Sequence, residues 1–101
     1  MKNSKKVILV VEDEIDILEL ITFNLERESY IVMNAKNGER GLDLAREEKV
    51  NLVLLDLMLP GIHGLDALRV LKTDPKTTKI PIIIISAVSY THLTLPTTPY
   101  V

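Results

Sequence analysis

Short runs of apolar residues alternate with amphipathic stretches along most of this chain. The first run, Val7 to Val11, is a continuous series of Val, Ile and Leu residues, which is typical of a strand buried on both faces of a parallel sheet. The stretch after it carries Ile17, Leu18, Ile21 and Leu25 at helical spacing, and this spacing predicts one inward-facing stripe. Strict alternation of buried strands with helices predicts right-handed βαβ units, and therefore an α/β fold with an open, doubly wound parallel sheet.

The same pattern predicts four strands and three helices. The predicted strands are Val7–Val11, Tyr30–Met33, Asn51–Leu55 and Ile80–Ile85. The second helix starts at Asn37, and the third ends where Thr73, Asp74 and Pro75 break it. The residues that mark the inner faces of these two helices are Leu42, Ala45, Leu65, Leu68 and Leu71.

Composition narrows the class of protein. A chain of 101 residues with 47% hydrophobic and 26% charged residues has the profile of one soluble globular domain. Its net charge of -2 provides no basic face, so we expect no binding of nucleic acid or of an anionic membrane by this segment. The chain has no Cys, and it has neither a signal-peptide core nor an apolar stretch of about 20 residues. We therefore expect a cytoplasmic protein.

The last part of the chain has a different character. Residues 89–101 carry no charge, whereas all 12 Lys and Arg and all 14 Asp and Glu lie before them. This uncharged run stands where a further helix and strand are due. We therefore expect one domain over residues 1–87, incomplete after its fourth strand, and a foreign, frame-shifted or disordered tail over residues 88–101.

Acidic residues follow two of the predicted strands. In open α/β sheets the ligand crevice lies outside the carboxyl ends of the strands. Glu12 and Asp13 follow the first strand, Asp56 follows the third and Ser86 follows the fourth. Because the first and third strands should be neighbours, the three acids should converge. Two carboxylates about 4 Å apart repel by roughly 4 kcal/mol at an effective dielectric near 20, so protons or a cation must intervene, and oxygen ligands of this kind suit Mg²⁺.

Each of these residues also has a structural interpretation. Asp13, Glu14 and Asp16 could cap the first helix and complement its dipole. Ser86 could satisfy the backbone at the end of its strand. Asp56 is harder to explain in this way, because it is a lone acid at the mouth of a buried strand, where Ala or Ser would cost less free energy. Gly64, together with Pro60 and Gly61, most simply marks a turn before the third helix.

Three segments together resemble the receiver domain of bacterial response regulators. They are Val10-Val11-Glu12-Asp13-Glu14, Leu54-Leu55-Asp56-Leu57-Met58-Leu59-Pro60-Gly61-Ile62-His63-Gly64 and Ile80-Pro81-Ile82-Ile83-Ile84-Ile85-Ser86-Ala87. The resemblance covers residues 1–87 with the correct order and spacing, and it is greatest to receivers that precede a winged-helix DNA-binding domain. It implies a flavodoxin-like sheet with strand order 2-1-3-4, the fifth strand of the family being missing.

The resemblance also implies a function and its residues. Asp56 would be the phosphoacceptor that receives a phosphoryl group from a sensor histidine kinase, in a protein that assists its own phosphorylation and is not a turnover enzyme. Asp13, Asp56 and the backbone carbonyl of Met58 would ligate Mg²⁺, and Glu12 would hold a metal-bound water. The Ser86 hydroxyl would contact the phosphoryl group. A DNA-binding effector domain would belong to the full-length protein but is absent from this segment.

The chain departs from the family pattern after its fourth strand. The family places a Lys after a fifth strand and a switch aromatic within it, and neither can be assigned here because no Lys or Arg follows Lys79. A phosphatase of the haloacid-dehalogenase type would need a second acid at the position of Met58. The remaining alternative is a noncatalytic interaction module or an inert truncated fragment.

Overall fold

A computed structural model of the chain describes residues 5–59 and 64–85. These residues form four strands and three helices in strict alternation. In chain order they are β1 (Val7–Val11), α1 (Ile15–Arg27), β2 (Ile31–Ala35), α2 (Gly38–Glu47), β3 (Leu52–Asp56), α3 (Gly64–Thr73) and β4 (Ile82–Ile85). Among the helices that the structure describes, none has the length and apolar character needed to cross a bilayer. Ser86 and the predicted tail over residues 88–101 lie outside the described residues.

The four strands form one parallel sheet in the order β2-β1-β3-β4, which confirms the predicted fold. Strand β1 pairs with β2 on one side and with β3 on the other. Val11 is level with Ala35 of β2 and with Leu55 of β3, and Asp56 is level with Ile85 of β4. The carboxyl ends of all four strands therefore meet at one edge of the sheet.

Helices cover the sheet on both faces. Leu9 and Val11 of β1 pack in one cluster with buried residues of α2 and α3, including Leu44 and Leu71. Ile8 and Val10 point to the opposite face, where they pack with Leu18 of α1. These alternating directions explain why the Val7–Val11 run has no polar positions, since both faces of β1 are buried.

The predicted limits of three strands were wrong by one or two residues. Strand β3 spans Leu52–Asp56, one residue later at each end than predicted. Strand β2 begins at Ile31 because Ser29 adopts a positive φ of 73° and Tyr30 donates its N–H to the Leu25 carbonyl, which ends α1. It continues to Ala35 because pairing with β1 extends that far. Strand β4 begins after Pro81, since the N–H of Ile80 is used in a turn to the Thr77 carbonyl.

The inner face of α3 agrees with the prediction at Leu71, which is buried, and at Leu68, which packs against the core, but not at Leu65. Leu65 is 51% exposed, whereas the buried positions of this helix are Gly64, Ala67 and Leu71. These three residues are spaced along one side of a helix, and Leu65 lies about 100° around the axis from Gly64. In α2, Ala45 is buried as predicted, whereas Leu42 is only partly buried and Leu44 is a further buried residue.

Thr77 holds the segment between α3 and β4. Its side chain is 1% exposed, and its hydroxyl donates to the Leu71 carbonyl at 2.6 Å. Thr78 makes the equivalent bond to the Lys72 carbonyl at 2.7 Å, but near the surface. This pair of hydroxyls satisfies carbonyls that the end of α3 leaves free.

We predict that Thr77→Val lowers the free energy of unfolding by about 1 to 3 kcal/mol, because it leaves a buried carbonyl without its donor. Thr78→Val is the matched control, and its cost should stay below about 1 kcal/mol because water can replace the lost bond. Urea denaturation of both variants measures the difference. Equal costs would show that burial of the Leu71 carbonyl is not what makes Thr77 important.

Candidate functional site

Glu12 is the first residue after β1. Its N–H donates to the Ala35 carbonyl at 2.9 Å, which prolongs the pairing of β1 with β2 by one residue. Its side chain is buried, and Oε2 accepts the N–H of Glu14 at 3.0 Å. The backbone and the carboxylate of Glu12 are thus both fixed at the edge of the sheet.

Asp56 is the last residue of β3 and is 6% exposed. Its Oδ1 accepts the N–H of Met58 at 2.9 Å, so its carboxylate organises the turn that follows the strand. The Met58 side chain itself is exposed. Asp56 therefore links the end of a buried strand to the backbone of Met58. The resemblance implies that the carbonyl of Met58 is a ligand of the cation.

The carboxylates of Glu12, Asp13 and Asp56 converge. One oxygen of each lies within 4.8 Å of the others; Glu12 and Asp56 are buried and Asp13 is exposed. This grouping confirms the predicted convergence at the ends of β1 and β3. Mg²⁺ takes six oxygen ligands at about 2.0 to 2.1 Å and keeps several of its waters, so three carboxylates at this spacing, one of them open to solvent, fit such an ion.

The electrostatics of the cluster favour a cation. Burial raises the pKa of the Glu12 carboxyl above its ordinary value of 4.5, and the neighbouring Asp56 and Asp13 raise it further. The hydrogen bond from the Glu14 N–H acts in the opposite direction and lowers the pKa of Glu12. A group whose ionised form is disfavoured by its neighbours is stabilised when positive charge enters the cluster.

The capping interpretation of the acids finds little support at Glu14. This residue is the N-cap of α1, yet its side chain makes no capping hydrogen bond. The sequence predicts only a turn at Gly64, but the backbone of Gly64 lies directly against that of Leu57, the residue between Asp56 and Met58. Glycine within the Asp56–Gly64 segment was the only sequence signal for that contact.

Ser86 lies outside the described residues, and its role stays a prediction.

Comparison with known proteins decides the family. The model of the response regulator receiver domain family matches residues 8–95 of the chain. The chain belongs to this family. Its receiver sequence is 49% identical, over 81 residues, to the uncharacterized transcriptional regulatory protein YkoG of Bacillus subtilis; the match covers 79% of this chain and 34% of YkoG. The chain spans between 33% and 65% of the length of the first curated relatives that it matches.

Two solved receivers share the fold. The N-terminal domain of a response regulator receiver protein from Methanoculleus marisnigri is 35% identical, with a TM-score of 0.80 over 95% of this chain and 72% of that chain. The receiver domain of the sensor histidine kinase PA1611 from Pseudomonas aeruginosa is 26% identical, with a TM-score of 0.80 over 85% of this chain and 70% of that chain. The PA1611 structure carries a magnesium ion in its active-site cleft.

We predict that Glu12→Gln stabilises the metal-free receiver at neutral pH, by roughly 1 to 3 kcal/mol, because it removes one of three converging negative charges. Since the pKa of Glu12 is raised in the folded state, the destabilising effect of its ionised form is complete above that raised pKa. It disappears as the pH falls toward 4.5. The advantage of the variant should shrink over the same interval.

Urea denaturation at several pH values, with a chelator present, measures this difference. Glu19→Gln, a change of an exposed acid on α1, is the control and should show no such pH dependence. A Glu12→Gln variant that is less stable than the wild type at neutral pH would contradict the argument from repulsion.

Proposed function

We propose that this receiver is the phosphoacceptor of a two-component phosphorelay and that Asp56 is the residue that is phosphorylated. The observation that supports the proposal best is the convergence of Glu12, Asp13 and Asp56 within 4.8 Å, with Asp56 buried at the end of a central strand. A buried carboxylate beside two other acids costs free energy and contributes little to packing. A reaction at one of its oxygens would explain why an acid stands at this position.

Mg²⁺ would be held by Asp13, Asp56 and the backbone carbonyl of Met58, with Glu12 holding one of its waters. When bound, the ion supplies positive charge that offsets the repulsion between an anionic nucleophile and an anionic phosphoryl donor. The chain contributes position, because the Met58 N–H and the end of β3 orient Asp56 before the donor arrives.

The reaction is a phosphoryl transfer from a phosphohistidine. A carboxylate oxygen of Asp56 forms a bond to phosphorus while the bond between phosphorus and the histidine nitrogen breaks. The electron pair of that bond stays on the imidazole, which takes up a proton, and the product is an aspartyl phosphate. The Ser86 hydroxyl would donate to a phosphoryl oxygen. One transfer consumes Asp56, so the chain is an acceptor that assists its own modification and not a turnover enzyme.

The donor we propose is a sensor histidine kinase. Relatives of this receiver include transcriptional regulatory proteins of which it spans about a third, so we propose that the full-length protein continues into a DNA-binding effector domain and controls transcription. We place the protein in the cytoplasm, with no nucleic acid or membrane bound by this segment. That the receiver part ends at residue 87, with a tail of different origin over residues 88–101, stays a prediction.

We predict that incubation with acetyl phosphate and Mg²⁺ adds one phosphoryl group to the wild-type chain and none to Asp56→Asn. Intact mass measures the adduct, and circular dichroism shows that both proteins are folded. Asp43→Asn is the control, since Asp43 is an exposed acid on α2 and its loss should leave the adduct unchanged. An adduct on Asp56→Asn would refute the assignment of the acceptor. A folded wild-type chain without an adduct would favour the noncatalytic module.

A further inference from the structure

We propose that Gly64 is a positioning residue for the acidic site. The absence of a side chain at the first residue of α3 lets this helix pack directly against the backbone of Leu57, and that contact fixes the turn carrying Asp56 and Met58. The inference rests on the proposed cation site, and it adds a residue to that site which touches neither the cation nor the phosphoryl group.

The contact between Gly64 and Leu57 is a contact of backbone with backbone. A Cβ added to Gly64 would lie 2.4 Å from the Leu57 Cα, 2.7 Å from its carbonyl oxygen and 2.8 Å from its carbonyl carbon. Carbon atoms that are not bonded to one another pack at about 3.5 to 4.0 Å, so a methyl group would force α3 and Leu57 apart by about 1 Å. Rotation of the Leu57 side chain could not make room, because the opposing atoms belong to the backbone.

The backbone of Leu57 is in turn tied to the site. Leu57 donates its N–H to the Ile85 carbonyl at 3.3 Å, which holds it to the end of β4. Its two neighbours in the chain are joined by the 2.9 Å bond from the Met58 N–H to the Asp56 carboxylate. A displacement of about 1 Å at Leu57 exceeds the tolerance of about 0.5 Å within which a functional site must be held. The Asp56 carboxylate and the backbone of Met58 would therefore move relative to Glu12 and Asp13.

Gly41 provides a matched control within the same molecule. It is also a buried helical glycine, and a Cβ there would meet the Val11 Cγ2 at 2.9 Å and Cγ1 at 3.1 Å. These are side-chain atoms, and the backbone of Val11 is held by pairing with β2 and β3. Gly41→Ala should therefore strain the packing of α2 without moving the carboxylates.

The experiment titrates MgCl₂ into the full 101-residue wild type, Gly64→Ala and Gly41→Ala, and follows amide NMR signals near Glu12 and Asp56. Both variants should melt at a lower temperature than the wild type. We expect Gly64→Ala to bind Mg²⁺ about ten- to a hundredfold more weakly, and Gly41→Ala to bind it within about threefold of the wild type. In the absence of metal, the Met58 amide signal should move in Gly64→Ala and stay in place in Gly41→Ala.

The metal-free Met58 signal separates this inference from the proposed function. A wild type that binds no Mg²⁺ would refute the cation site, and the Met58 amide would still decide whether Gly64 positions the turn. If Gly64→Ala does not fold under the conditions of the titration, the spectra are recorded in sucrose, which favours the folded state. A variant that stays unfolded there, while Gly41→Ala folds, would overturn the inference, because Gly64 would then be needed for folding and not for positioning the turn. Wild-type Mg²⁺ binding and an unmoved Met58 signal in the folded variant would overturn the inference.

Discussion

The rest of this molecule depends on strand β1, which is buried on both faces and paired on both sides. Leu9 and Val10 are completely inaccessible to solvent, and they point to opposite layers of helices. Because β1 lies between β2 and β3, it sets the level at which both of those strands end. The positions of Glu12 and Asp56 at the carboxyl edge of the sheet follow from this single strand.

A chemical consequence of that arrangement is that negative charges lie close together at the ends of β1 and β3, where the backbone cannot move to separate them. Glu12 extends the pairing of β1, and Asp56 is still part of β3, so neither can move away from the other without breaking the ladder. Burial, and then the charges of Asp56 and Asp13, raise the pKa of the Glu12 carboxyl above its ordinary value. Asp13, which is exposed, gives the cluster an opening toward solvent. A rigid, partly open group of acids suits a small divalent cation that keeps some of its waters.

The sequence predicted the sheet and the acidic cluster because both depend on patterns that are local in the chain. Apolar runs located all four strands, and the acids that follow two of them located the site. The errors arose where the backbone conformation of one residue, or packing between elements, decides the outcome. The positive φ of Ser29 delays the start of β2, and packing on α2 and β3 buries Ala67 in place of Leu65. The approach of Gly64 to Leu57 could not be predicted either, since a glycine in the sequence does not reveal which backbone lies against it.

The acids that converge come from strands that lie far apart in the chain, and this separation has a consequence for folding. Neither the segment around β1 nor the segment around β3 contains the cluster; it exists only after these strands have paired across the intervening α1, β2 and α2. Such nonlocal pairing is slow to form because the long loop must close first. A cation held there would therefore be a ligand of the assembled sheet alone. It would add to the stability of the whole domain by mass action, and a partly folded chain would gain nothing from it.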